Sequence, residues 1–255
     1  MSQSDLFKEK MMAGYAPRGG SLLIGAGMLN GEIVQEAKVQ IPLATLNRHG
    51  LIAGATGTGK TKTLQGLAEG LSAHGVSVMM MDIKGDLSGI AAPGTANDKI
   101  NSRHEKLGIP WKVQSFPCEL MSLSGEKGVR LRATVSEFGP VLFSKILGLN
   151  DTQSGVVSLV FKYADDKGLA LLDLKDFKKV LQYCTNEGKE EIKKEYGAIS
   201  TASASTILRK IIEIEEQGAE LFFGELSFDT EDLLRISDEG KGYIHIVRLT
   251  DIQDK

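Results

Sequence analysis

Leu51-Ile-Ala-Gly54-Ala-Thr-Gly-Thr-Gly-Lys60-Thr61 is the stretch on which the fold turns. A short apolar run leads into the spacing Gly-x-x-x-x-Gly-Lys-Thr. Beyond it Leu64, Leu67, Ala68 and Leu71 recur as they would on a helix with one buried face. Phosphate oxygens need many donors at short range. A loop whose N–H groups turn inward supplies them only where side chains do not obstruct it, and Gly54, Gly57 and Gly59 keep it clear, with Ala55, Thr56 and Thr58 between them. The following helix offers its N-terminal N–H groups and positive dipole end to the anion. Lys60 is expected at the β- and γ-phosphates and the Thr61 hydroxyl on Mg²⁺, with Thr63 completing the nucleotide-binding set. A chance glycine-rich turn is the competing reading of so short a pattern. A strand before the loop and an amphipathic helix after it favour nucleotide binding.

Working outward, Val76-Ser-Val-Met-Met-Met81 is nearly all apolar, as expected of a strand inside a parallel sheet covered on both faces, and it ends in Asp82. The order strand, loop, helix, strand makes a βαβ unit. Asp82 would stand at the sheet end where open α/β folds bind ligands, with a role in holding Mg²⁺-bound water. The alternative is a solvated residue of the turn Lys84-Gly85-Asp86, since Ile83 occupies the place of a catalytic Glu.

Before the loop, Ser21–Ile24 and Ala37–Leu43 flank Asn30-Gly31, a pair suited to a tight hairpin turn, so residues 1–46 are expected to form a loose start and a β appendage. The first part of the P-loop core spans 47–135, with a helix over Asn97–Leu107 and strands near Val113–Phe116 and Val129–Val135. Residues 136–218 carry helical stripes: Val156, Leu159, Val160 and Tyr163; Phe177, Val180, Leu181 and Cys184; Ile207, Leu208, Ile211 and Ile212. Asp151 is expected to cap the first of these, and Gly168 and Gly218 to end helices. This region is expected to be an all-helical insertion. Residues 219–255 return to the core through Tyr243–Leu249.

A net charge of −3 over 255 residues argues against coating nucleic acid by bulk positive charge, while leaving a local basic channel open. The two cysteines, Cys118 and Cys184, have neither metal-ligand nor disulfide spacing, which points to a reducing cytoplasm. The charged N-terminus and the lack of any run of about 18 apolar residues point away from secretion and membrane spanning. Arg48 and His49 precede the loop and are candidates to reach a phosphate on this or a neighbouring subunit, or to cap the sheet edge. Arg130 and Arg132 fit a solvated strand face, and the mixed-sign tract Lys189–Glu195 an exposed helix.

Taken together, Asn47–Thr61 and Asp82-Ile-Lys-Gly-Asp-Leu87 resemble the HerA-like branch of the HerA/FtsK superfamily of DNA-pumping motor ATPases. The resemblance extends from about Leu22 to the end, through Arg130–Asp151, Asp151-Thr-Gln-Ser-Gly155, Asp165-Asp166, Leu172–Asp176 and Gln217–Gly224. It implies an α/β fold of the P-loop NTPase, RecA-like kind, with ATP and Mg²⁺ as cofactors. It also implies a homo-oligomeric, hexameric ring acting on double-stranded DNA, with an arginine reaching the neighbour's γ-phosphate. Arg48 matches the Arg-His before the family's loop and is the candidate for that arginine; Lys60 and Asp82 are the other expected catalytic groups. The family continues with a Walker B strand ending Asp-Glu, so the resemblance implies a core incomplete at the C-terminus and a piece that binds nucleotide yet hydrolyses it slowly or not at all. Asp251, followed by Ile252, substitutes poorly for that strand end. Two other readings stand beside the motor: a nucleotide-switched protein-binding module without DNA activity, and a small-molecule kinase, which no arginine-bearing lid supports.

Overall fold

The computed structural model describes residues 2–125 and 127–250. It is a mixed α/β chain whose larger, parallel sheet orders its strands as Val78–Asp82, Ile244–Arg248, Cys118–Ser122 and Val129–Arg130, and it divides into two compact units. One comprises the chain up to Leu120 together with Thr230–Thr250; the other is Met121–Asp229.

The first unit opens with a helix where a loose start is expected, α1 (Gln3–Gly14), because Ser2 and Asp5 form a reciprocal capping box at its N-terminus. Strands β1 (Ser21–Leu29) and β2 (Glu32–Pro42) form the expected antiparallel hairpin. Asn30 and Gly31 turn it with φ of 52° and 84°, the two positive values that a twisted two-residue hairpin loop demands. Leu51–Ala53 is not the expected strand. Among the described residues nothing pairs with it and Leu51 is 90% exposed. An apolar tripeptide becomes a strand only beside a partner for its N–H and C=O groups.

Helix α2 (Lys60–Ala73) follows the glycine loop. Its buried face is Gln65, Ala68 and Ser72, rotated from the leucine stripe so that Leu64 is exposed on the cleft side. Two polar side chains fix this rotation. The Gln65 amide donates to the Asp86 carbonyl at 3.1 Å, and the Ser72 hydroxyl donates to the Gly242 carbonyl at 2.6 Å. Strand β3 (Val78–Asp82) pairs in parallel with β6 (Ile244–Arg248), Val78 opposite Ile244 and Asp82 opposite Arg248. The expectation that β3 is covered on both faces fails. It lies at one end of the strand order, and while Met80 packs with Ala68, Leu87, Ile90, Phe116, Ile244 and Ile246, Met81 on the opposite face is 65% exposed.

Helix α3 (Asp98–Leu107) lies where expected, capped by Asn97 and ended by Gly108 at φ 58°. Residues 113–116 are not a strand; the ladder begins at β4 (Cys118–Ser122), after Pro117, which has no N–H to give and contributes only a carbonyl, accepting from Ile244 N–H at 2.8 Å. Asp251 and Ile252 lie outside the described residues.

In the second unit β5 is short (Val129–Arg130), paired with Met121 and Ser122 of β4, and Val135 already begins a helix. The helices are α4 (Val135–Ile146), α5 (Asp151–Asp166), α6 (Leu174–Thr185), α7 (Lys189–Glu195) and α8 (Thr201–Glu216). Asn150 rather than Asp151 caps α5, its side chain accepting from Gln153 N–H. Gly168 and Gly218 end helices as expected, both at positive φ. The core joins Phe143, Val157, Val160, Phe177, Leu181, Ile207, Ile211 and Phe223, whereas Ile212 points to solvent.

Candidate nucleotide site

The loop between Gly54 and Lys60 is ordered by its own polar groups. Gly57 and Gly59 adopt φ of 80° and 97°, which turns the chain into the first turn of α2. Gly54 is required sterically: a Cβ there would stand 2.5 Å from the Thr58 hydroxyl oxygen. That hydroxyl donates to the Ala55 carbonyl at 2.8 Å, and the Lys60 ammonium donates to the carbonyls of Gly54 and Ala55, each at 2.8 Å. Lys60 is thus folded back over the loop with its charge answered by two carbonyl oxygens. Thr63 does not open toward the loop; its N–H and hydroxyl both donate to the Gly59 carbonyl, at 2.9 and 3.2 Å, closing the first helical turn.

The Thr61 hydroxyl donates to Asp86 Oδ2 at 3.0 Å. Asp86 reads in the sequence as a turn residue; no local spacing signals a contact across 25 positions that only the packing of α2 beside the 82–88 segment creates. Asp82 is fully buried rather than solvated, with both carboxylate oxygens engaged by its own loop. Oδ1 accepts from Gly85 N–H at 2.7 Å; Oδ2 accepts from Leu87 N–H at 3.2 Å and the Ser88 hydroxyl at 3.1 Å. It therefore shapes the bend that carries Asp86 to Thr61.

These residues border one cleft of about 690 Å³, lined among others by Gly57, Lys60, Thr61, Asp82, Lys84 and Asp86. Its composition suits a magnesium-bound polyphosphate. There is a glycine rim, a helix N-terminus, three lysines (Lys60, Lys62 and Lys84), and a hydroxyl–carboxylate pair of hard oxygen donors. Mg²⁺ takes one or two protein oxygens and completes its shell with water and phosphate, and Thr61 and Asp86 are the oxygens this cleft offers. Arg48 and His49 are exposed and do not line the cleft. Of the other residues singled out, Arg132 donates to the Phe223 carbonyl at 3.1 Å in the second unit, a structural contact.

A family model described as helicase HerA-like C-terminal matches residues 28–254. No curated protein matches the chain. Among solved structures, the bacterial conjugative coupling protein TrwBdeltaN70 in its unbound monoclinic form is similar at 14% identity and a TM-score of 0.46, over 97% of this chain and 54% of that one. VirB4 of Thermoanaerobacter pseudethanolicus is similar at 15% identity and a TM-score of 0.43, over 93% of this chain and 59% of that one. The chain thus spans little more than half of either structure. No helix among the described residues is long and apolar enough to cross a membrane.

Proposed function

Because the chain belongs to the helicase HerA-like C-terminal family, we propose that its loop binds Mg-ATP, and that the whole protein is a cytoplasmic motor that hydrolyses ATP to move along or process double-stranded DNA. The observation that carries the nucleotide reading is the Thr61–Asp86 contact beside the glycine loop, at 3.0 Å. When phosphates enter, the Lys60 ammonium leaves the Gly54 and Ala55 carbonyls for the β- and γ-phosphate oxygens, a stronger charge-assisted pairing. Thr61 supplies a metal-facing oxygen, and Asp86 accepts hydrogen bonds from water in the metal's shell. Mg²⁺ held by these oxygens would supply charge neutralisation for phosphoryl transfer. Asp82 holds the loop that positions Asp86, in place of the role in holding Mg²⁺-bound water that the sequence suggests for it. Arg48, solvent-exposed on the segment leading into the loop, is proposed to reach the nucleotide of an adjoining subunit in a hexameric ring.

The test is steady-state hydrolysis of Mg-ATP by the full-length protein with and without duplex DNA, alongside Lys60→Ala and Arg48→Ala. Loss of hydrolysis in Lys60→Ala together with stimulation by DNA supports the motor. Hydrolysis unmoved by Arg48→Ala rejects that arginine's role.

A second reading is favoured by one observation: α4 leaves Val141, Leu142 and Ile146 exposed, with Leu142 and Ile146 at the i, i+4 spacing of one helix face. Such a surface suits a protein partner docked under nucleotide control. Nucleotide-dependent partner binding with no response to DNA would support this reading over the motor.

A further inference from the structure

The first unit has a second cleft, of about 480 Å³, along the flank of α2. It shares Lys62 and Asp86 as lining residues with the phosphate cleft, so the two adjoin. Three features of it bear on what it could hold; two of them have no counterpart in the chain's own packing, and the third, Trp111, meets the His104 ring at 6.1 Å on one side.

The first is Gly66, which lies in the interior of α2, where glycine is less favourable than alanine. Gly70 on the same helix is accounted for, since Leu22 would lie 3.0 Å from a Cβ placed there. At Gly66 a Cβ would meet nothing within 4 Å, and the same is true of Gly89 across the cleft. The chain keeps this space free of side chains although no neighbour of its own fills it.

The second is Glu69, which lines the cleft and is half-buried. Its carboxylate makes no hydrogen bond among the described residues, burial pushes its carboxyl above the ordinary range, and Lys62 is the charge that opposes this. The Lys62 ammonium is itself turned to Gln65 Oε1, at 2.9 Å. A carboxylate drawn from water without a donor is costly unless something brings one.

The third is Trp111, the chain's single tryptophan, a half-buried wall of the same cleft. Gly94 lies beside it, and a Cβ there would touch the indole at 3.6 Å.

We propose that this cleft receives the purine base of the nucleotide whose phosphates lie on the Gly54–Thr61 loop, the ring stacking on Trp111 and its exocyclic amine donating to Glu69. The inference rests on the nucleotide reading above and deepens it. A flat aromatic wall, an acceptor awaiting a donor, and a floor cleared by glycines are the recognition chemistry of a planar amine-bearing ring. Adenine, guanine and cytosine each offer such an amine, but the two-ring purines cover more of the indole face, and the experiment separates the three.

Trp111 makes the site self-reporting, because all tryptophan emission of the protein comes from it. The full chain is titrated with ATP, GTP, CTP and inorganic tripolyphosphate, each with Mg²⁺, following emission and, by calorimetry, affinity. A purine nucleotide is expected to shift the emission saturably and to bind more tightly than CTP, while tripolyphosphate binds and leaves the emission unchanged. Gly66→Leu, which fills the cleft, is expected to weaken the purine nucleotide by about tenfold or more, the loss of one stacked base, and to leave tripolyphosphate affinity unaltered. Gly66→Ala, favoured by the helix, serves as the folding control and is expected to raise the melting temperature. The larger response of ATP or of GTP then names the base. The base site alone is overturned if tripolyphosphate binds but purine and pyrimidine nucleotides bind equally, or if Gly66→Leu weakens tripolyphosphate as much as nucleotide. If neither tripolyphosphate nor any nucleotide binds, the phosphate-loop reading falls and this inference with it.

Discussion

At the scale of single residues, two aspartates four positions apart divide the work of one loop. Asp82 is buried and accepts three hydrogen bonds from Gly85, Leu87 and Ser88, whereas Asp86 faces the Thr61 hydroxyl. Removing an acceptor that satisfies buried donors costs the desolvation of those donors. Asp82→Ala is therefore expected to destabilise the protein by about 2–3 kcal/mol, read from denaturant unfolding. Asp86→Asn should leave stability within about 0.5 kcal/mol of the parent and raise the Mg²⁺ concentration needed for nucleotide binding. If Asp86→Asn unfolds the protein and Asp82→Ala does not, the two roles are assigned the wrong way round. The glycine loop was legible in the sequence because its chemistry is local: each glycine answers to a backbone angle or a clearance that its near neighbours dictate. Asp86 was not legible, because its partner is set by how α2 is turned, and that turn depends on Gln65 and Ser72 rather than on the leucine stripe.

At the scale of elements, the same contrast separates helices from strands. Helix boundaries follow from side chains within a few residues, and Asn97, Gly168 and Gly218 stand where the sequence placed a start or a stop. The cap of α5 was misplaced by one residue because Asn150 and Asp151 are both competent and only the backbone geometry chooses between them. Strands depend on partners far away, so Leu51–Ala53 and Val113–Phe116 were apolar enough to suggest pairing and found none, and β4 begins only beyond Pro117. One cap gives a pH test. Glu137 bonds back to the Thr134 N–H at 2.7 Å, and this bond, followed by one from Ser227, holds its carboxyl below the ordinary value of 4.5. A lowered folded-state pKa contributes stability that is fully present above the unfolded value and is lost as pH falls through the folded one. Stability is thus expected to decline below about pH 4.5 with a steeper slope in the parent than in Glu137→Gln, as followed by helix signal against pH. Equal slopes would mean that this capping box contributes nothing. Thr134→Ala should cost about 1 kcal/mol at neutral pH.

At the scale of the whole molecule, the charge balance decides what kind of DNA contact is available. With a net charge of −3 this chain cannot hold a duplex by overall attraction, so under the proposed motor reading a DNA-dependent activity would draw on a few lysines and arginines gathered locally. If DNA stimulates ATP hydrolysis, that stimulation should fall steeply between low and physiological salt, with a slope that counts only a small number of displaced counterions. Stimulation indifferent to salt would point instead to a protein partner carried along with the DNA.

The bond from Ser72 to Gly242 has a consequence for how the chain is made. The two residues stand 170 positions apart, and β3, just after Ser72, finds its partner strand only just beyond Gly242. A ribosome adding about 5–20 residues each second needs on the order of ten seconds or more to cover that interval. During it the methionine-rich strand has emerged but has no neighbour, while the helical unit, whose contacts lie within its own stretch, is free to fold. Synthesis therefore places the apolar half of the nucleotide-binding unit in waiting, and that interval is when a nascent chain of this kind most needs a chaperone.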